Sequence, residues 1–375
     1  MSDPRQLNKI VIKGFKSIRE AEIELRDLNV FIGANGAGKS NFVSLFKLLR
    51  EIIEGRLQVY TGARGADYFL YGGRKTTDAI RGEFYFGHAH HENNYQIELI
   101  PSIDDSLIFA DEEAGYRRVD KYDRPKNYLL GEGHKEAKIF EVIEEWDIPI
   151  VDYVAKTIQE WRVYHFHDTS ETAKLKQPVD IDDNRQFRED GSNLAAFLYR
   201  LQQMSPDSYQ KIVRTVQQVA PFFGDFQLQP SALNPEKIRL EWRDNETDSY
   251  FNAHYLSDGT LRFICLVTLL LQPNLPPLII IDEPELGLHP FAITLLASLL
   301  RKASIDSQVI IATQSVTLVN QFEAEDVIVV ERQDKQSVFK RLDTASLEGW
   351  LEDYGIGDLW EKNVIGGRPK GKATQ

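Results

Sequence analysis

The chain has 375 residues, 42% hydrophobic and 27% charged, the balance of a globular protein long enough for two domains or one domain with a large insertion. Its 44 basic and 57 acidic residues leave a net charge of −13, which argues against a surface coated with basic residues for nucleic acid but leaves room for a local basic groove. The single cysteine, Cys265, excludes an internal disulfide or a cysteine-rich zinc site. The longest apolar runs are too short to span a bilayer, and "MSDPRQLNK" at the N-terminus lacks the apolar core of a signal peptide. These features together point to the cytoplasm.

From the N-terminus, "KIVIKGF", "AEIEL" and "LNVFI" read as short strands, the last ending at Gly33. The segment after Ser40 has apolar residues at 42, 45, 46, 49, 52 and 53, a helical spacing, with Gly55 as its stop. Between strand and helix lies "GANGAGKS", Gly33 to Ser40, the full G-x-x-x-x-G-K-S Walker A pattern. Glycines let backbone N–H groups turn toward a β-phosphate, and the following helix adds its N-terminal dipole. Lys39 would reach the β- and γ-phosphates and Ser40 would ligate magnesium. Gly33, Ala34, Asn35, Gly36, Ala37 and Gly38 form the cradle.

"GEFYFG" and "YQIELIP" read as a hairpin around the polar stretch "HAHHENN". His88, His90 and His91 there read as a solvated tip, with metal binding as the alternative. From 102 to 235 the pattern predicts an insertion lobe, mainly helical, with helices in "KEAKIFEVIEEW", "VDYVAKTIQEW", "SNLAAFLYRLQQM" and "SYQKIVRTVQQV". The acidic run "DDSLIFADEE" reads as a solvated loop. His165 and His167 share one face of a short strand, an H-x-H pair with no third ligand identifiable. Trp146, Trp161, Phe222 and Phe223 read as core, with a partner surface as the alternative.

Strand patterns return at "KIRLEW". A helix in "TLRFICLVTLLLQ", which would bury Cys265, leads to the strand "PLIIIDE", a helix over 290–302, and strands in "QVIIATQ" and "DVIVVE". This alternation predicts an α/β fold with a mostly parallel sheet. "LIIIDE" reads as Walker B: Asp282 would hold Mg²⁺ and Glu283 would polarise the attacking water. "LSDGT", 256–260, lies about 25 residues before Asp282. By itself it reads as an N-cap, Ser257 or Asp258 starting a helix. The last ten residues, "GGRPKGKATQ", read as a flexible tail.

As a set, these motifs resemble the RecF/SMC/OLD-type branch of ABC ATPases, and within it short bacterial predicted ATPases related to the AbiEii/OLD-like proteins. "IKGFKSIREAEIELRDLNVFIGANGAGKSN", "DEPELGLHP" and "IIATQS" carry the resemblance, which covers residues 8–55 and about 237–365, while "DGSNL" is similar to a stretch in the same proteins. It implies a P-loop NTPase of ABC-head type with an N-terminal antiparallel β layer. In that frame residues 1–101 and 236–365 are the two halves of the head, 102–235 the insertion and 366–375 the tail. "LSDGT" stands where the family carries its signature, whose Ser257 and Gly259 would cap ATP held by a second copy's Walker A. Asn41 joins the loop environment, Glu285–His289 acts as the D-loop at a dimer interface, and Lys16 and Ser17 approach the nucleotide.

The chain departs from the pattern in three places. Asp258 stands at a glycine-type position of the signature. Gln314 replaces a switch histidine, so hydrolysis is expected to be slow or partner-dependent. No glutamine is found near 70–82, where a Q-loop is expected. The resemblance implies a homodimeric ATPase using ATP and Mg²⁺, without a membrane partner, set in DNA maintenance or phage defence with DNA or a nuclease-like effector as possible partners. Two alternatives remain: an ATP-dependent binding or sensor module with negligible turnover, and a transporter's nucleotide-binding subunit, against which the missing Q-loop and the "GFKSI" layer count.

Overall fold

A computed structural model describes residues 6–141, 148–247 and 249–367. Residues 142–146 of the helix expected over 135–146, Trp146 among them, and residues 368–375 of the expected tail lie outside the described residues. Along the chain run β1 (Leu7–Phe15), β2 (Ile18–Glu24), β3 (Leu28–Ile32), α1 (Lys39–Ile53), α2 (Leu57–Gly62), β4 (Ile80–His88), β5 (His91–Pro101), β6 (Leu107–Arg118), β7 (Lys126–Gly131), α3 (Pro149–Gln159) and β8 (Arg162–Tyr164). Next come β9 (Val179–Asp180), α4 (Leu194–Met204), α5 (Pro206–Val219), β10 (Phe223–Phe226), β11 (Pro230–Ser231), β12 (Asn234–Ile238), β13 (Glu241–Asp244), β14 (Tyr250–Asn252) and α6 (Asp258–Leu271). The last elements are β15 (Leu278–Asp282), α7 (Pro290–Ala303), β16 (Gln308–Thr313), α8 (Val316–Val319), β17 (Val327–Gln333), β18 (Gln336–Arg341), α9 (Thr344–Leu351) and α10 (Ile356–Glu361).

The chain divides into two compact units. The first comprises Met1–Val163, Pro276–Ile280 and Ile305–Gln375; the second comprises Tyr164–Leu275 and Ile281–Ser304. The first unit contains an antiparallel sheet in the order β2-β1-β4-β5-β6-β7. Its other sheet runs β18-β17-β3-β16-β15-β8, with β3 parallel to both β16 and β17 and β18 antiparallel at the edge. Helix α1 buries Phe42, Leu45, Phe46, Leu49, Ile52 and Ile53, the face its spacing predicts, and Phe42 stacks on Phe31 of β3 at 4.4 Å. One continuous core joins these residues to Ile10, Phe84, Ile97, Val154 and Ile310.

Two expectations are corrected here. The stretch after residue 102 does not begin a helical lobe, because β6 and β7 complete the antiparallel sheet and the first unit continues to Val163. The acidic run turns at 104–106, and from Leu107 on it is a strand of that sheet rather than a loop. Its Leu107, Phe109 and Ala114 are buried, and so is Glu112. The Glu112 carboxylate accepts from Tyr95 Oη at 2.7 Å and Lys138 N at 2.8 Å and faces His134 Nε2 at 2.8 Å, which offsets the cost of burying it. The consecutive acidic residues at 104–105 and 111–113 made a half-buried strand look like a solvated loop.

The second unit holds α4, α5, α6 and α7 with two small sheets, β10-β13-β14 and β11-β12-β9. "KIRLEW" is therefore shared between strands of two different sheets. Helix α6 is apolar almost all round, with Leu261, Phe263, Ile264, Cys265, Leu266, Val267 and Leu269 buried. Burial pushes the Cys265 thiol pKa well up, consistent with a packing role.

Candidate nucleotide-binding site

The phosphate loop lies in the first unit, between the end of β3 and the start of α1. Lys39 is buried while Asn35, Gly36 and Ser40 are exposed. The first turn of α1 has neither a side-chain cap nor an acidic residue, so its N–H groups are left for an anion. Lys39 Nζ folds back over the loop and donates to the Gly33 carbonyl at 2.6 Å. Two glycines are required by their surroundings. A β-carbon at Gly33 would stand 2.3 Å from the Val330 carbonyl oxygen, and one at Gly38 would stand 2.0 Å from Ser337 Oγ. Gly38 also has φ 119°, a conformation that side chains disfavour.

A ring of polar contacts braces this loop. Asn41 Nδ2 donates to Ser17 Oγ at 2.7 Å, Ser17 Oγ lies 2.7 Å from Ser337 Oγ, and Ser337 Oγ donates to the Ala37 carbonyl at 2.6 Å. Ser17 thus meets the loop. Lys16, in the left-handed region at φ 49°, instead lays its ammonium 4.3 Å from the centre of the Tyr68 ring and donates to Tyr68 Oη at 3.2 Å. Burial lowers its pKa, opposed by the hydrogen bond to Tyr68.

Beside the loop opens a pocket of about 340 Å³ lined by Gly33, Ala34, Asn35, Gln314, Trp360 and Gly367, among others. It brings Gln314, at the end of β16, to the first half of the loop. Trp360 and Gly367 were missed by the sequence reading, which took residues 366 onward as a tail. The Gly367 carbonyl accepts from Ala34 N at 2.9 Å, and Gly367 N donates to Glu331 Oε1 at 2.6 Å. The signal for this anchor was the Gly366–Gly367 pair, both in the left-handed region.

The remaining motifs lie in the second unit. Asp282 ends β15 and Glu283 follows it with φ 46°. Two successive turns continue the chain: Leu286 N donates to the Glu283 carbonyl at 3.2 Å, and Leu288 N to the Glu285 carbonyl at 3.0 Å. Ser257 caps α6, its Oγ accepting from Thr260 N at 3.2 Å. Gly259 closes on the D-loop: a β-carbon there would stand 2.2 Å from the Gly287 carbonyl oxygen. Arg262, one turn into α6, donates to the carbonyls of Leu286 at 3.1 Å and His167 at 2.9 Å. Sequence reasoning did not single out Arg262. His167, weighed as half of a metal pair, points its Nε2 at the Asp282 carbonyl oxygen, 2.9 Å away.

Residues 28–320 match the model of the family described as "AAA domain, putative AbiEii toxin, Type IV TA system". The chain belongs to this family. Its fold is also similar to solved SMC heads. One, the SmcHead bound to the C-winged helix domain of ScpA, has TM-score 0.53 and 16% identity, covering 92% of this chain and 99% of that one. Another, an Smc head domain with an extended coiled coil bound to the C-terminal domain of ScpA derived from Pyrococcus furiosus, has TM-score 0.51 and 15% identity, covering 92% and 98%. No curated protein matches the chain. The AAA-domain chain thus has the α/β P-loop fold of ABC-type, RecF/SMC-like ATPase heads, and none of its described helices is long and apolar enough to cross a membrane.

The residues present fit a magnesium nucleotide. The exposed loop face, the uncapped start of α1 and the Lys39 ammonium suit phosphates, and β-carbons at Gly33 and Gly38 would disturb that cradle. The Ser40 hydroxyl, exposed at the start of α1, is a hard oxygen donor of the kind Mg²⁺ prefers.

Proposed function

We propose that this AAA-domain protein binds and hydrolyses ATP as a dimeric switch. The observation that carries this reading is the phosphate loop, with Lys39 held across a braced glycine cradle at the start of α1. Gly33–Asn41 would hold the phosphates through backbone N–H groups and the Lys39 ammonium. Ser40 and Asp282 would hold Mg²⁺, which when bound neutralises charge on the β- and γ-phosphate oxygens. Glu283, the next carboxylate, would accept a proton from the attacking water. Gln314 would hydrogen-bond near the γ-phosphate without carrying charge, which makes slow or partner-stimulated turnover the expected behaviour.

Ser257 and Gly259 at the start of α6 would read the γ-phosphate held by a second copy, so that ATP closes the dimer and hydrolysis opens it. The setting this suggests is DNA maintenance or phage defence in the cytoplasm, with the nucleotide state controlling DNA engagement or a partner effector. The solved SMC heads it resembles carry a partner domain of ScpA in their structures. Phosphate release by the parent and Glu283→Gln proteins tests the reading. The variant should keep Mg-ATP affinity and lose about 10²- to 10⁴-fold in turnover, the range for a positioned general base. Equal rates in the two proteins would place the base elsewhere.

A further inference from the structure

A residue outside the nucleotide motifs holds the carboxylate turn. Glu283 sits at φ 46°, where a residue with a β-carbon stays only if its surroundings keep it there. Rotation about its N–Cα bond sets the direction of its side chain relative to the peptide plane joining Asp282 and Glu283. The carbonyl of that plane lies 2.9 Å from His167 Nε2. A carbonyl only accepts, so the imidazole must carry its proton on Nε2 to make this bond.

His167 is itself held at the backbone. Its carbonyl accepts from Arg262 Nη2 at 2.9 Å, and that of Phe166 from Arg262 Nε at 3.1 Å. The Nη1 of the same guanidinium reaches the Leu286 carbonyl at 3.1 Å. The turn is therefore pinned at both ends, at Asp282 by the His167 ring and at Leu286 by Arg262. Arg262 lies one turn into the helix that Ser257 caps, so a shift at the start of α6 acts directly on the backbone of both flanks.

We infer that His167 is a positioning residue that, with Arg262, holds the Asp282–Glu283 peptide in its left-handed turn and so aims the Glu283 carboxylate. The inference deepens the proposed function and rests on Glu283 being the general base. His167 touches no substrate in this scheme, and its effect passes entirely through the Asp282 carbonyl. The start of α6 and the carboxylate turn then move as one piece, so whatever Ser257 and Gly259 bind also acts on the turn that carries Glu283.

The test uses full-length His167→Ala, His167→Phe and His167→Gln proteins. A glutamine amide can donate from about the place of the imidazole Nε2, whereas phenylalanine keeps the ring and loses the donor. Turnover should fall roughly 10- to 100-fold in the Ala and Phe variants, the scale of a misaimed catalytic group, and stay near parental in the Gln variant. Mg-ATP affinity by calorimetry should be unchanged in all three. Combined with Glu283→Gln, His167→Ala should cause no further loss, because its effect acts through the carboxylate already removed.

Hydrogen exchange in the nucleotide-free protein supplies a readout independent of turnover. Amides of Glu283 and of residues 285–288 should exchange faster in the Ala and Phe variants and at the parental rate in the Gln variant. Parental exchange in His167→Ala, or a glutamine variant as impaired as the alanine one, overturns the inference. If the parent hydrolyses no ATP, the general-base reading fails by itself, and the exchange rates still decide whether His167 holds the turn.

Discussion

Gly259 packs against the Gly287 carbonyl so closely that a β-carbon would stand 2.2 Å from the oxygen. The first turn of α6 and the D-loop are thus in backbone contact within one unit, and only a residue without a side chain permits it. Gly259→Ala must push the D-loop away or lift the helix start. The expected cost is about 1–3 kcal/mol, typical of forcing a methyl group into a packed contact. Denaturant unfolding should show that loss, and ATP turnover should fall with it. A variant of parental stability and turnover would mean that the D-loop yields without consequence.

The loop lysine leads to the most direct binding prediction. Lys39 Nζ donates to the Gly33 carbonyl, a bond within its own loop. Replacing it by alanine removes a charge-assisted phosphate contact while leaving the ring of Ser17, Asn41 and Ser337 in place. Calorimetry should find ATP binding lost in Lys39→Ala, with the circular dichroism spectrum unchanged. Equal affinity in mutant and parent would remove the phosphate site from this loop.

The wall of the pocket beside the loop gives a third expectation. Gly367 adopts φ 81°, and a β-carbon on it would stand 2.8 Å from Trp360 Nε1. Gly367→Val therefore meets both a disfavoured backbone and a collision, at a cost of roughly 1–2 kcal/mol for the left-handed conformation alone. The bonds from Ala34 and to Glu331 should loosen, and ATP affinity should fall several-fold while Lys39 and Ser40 remain intact. Unaltered affinity by calorimetry would make this segment a bystander to the loop.

Legibility followed the range of the interactions. The phosphate loop could be read because its function requires fixed residue types at fixed spacing, and the same holds for the short apolar strand ending in Asp282. Helix α1 could be read because its apolar face repeats every three or four residues. Strand β6 could not, because Glu112 is buried through partners on β5 and in the segment after β7, which no local pattern records. The Gly367 anchor was hidden for a similar reason: its partner, Ala34, is more than three hundred residues away in sequence. His167 and Arg262 bond mainly to backbone carbonyls, and a carbonyl leaves no mark on the sequence.

The assembly prediction follows from where Ser257 stands. Its hydroxyl caps α6 and presents the first turn of that helix, the element proposed to read the γ-phosphate of a second copy. A two-fold dimer built this way has an isologous interface with two composite sites and ATP within each. ADP lacks the γ-phosphate and should hold the dimer less well, so the Glu283→Gln protein should be more dimeric with ATP than with ADP, by light scattering. Ser257→Arg should bind ATP normally, since its own loop is untouched, yet lose both the ATP-dependent dimer and the hydrolysis. Loss of the α6 cap alone would cost about 1 kcal/mol and leave a folded protein, which a thermal melt confirms. Mixing Ser257→Arg with Lys39→Ala protein should restore one intact composite site per heterodimer and recover part of the turnover. Simple damage to either chain cannot produce that recovery, because neither variant is active by itself. Parental hydrolysis by Ser257→Arg would mean that one chain completes its own site, and the role proposed for "LSDGT" would then be wrong.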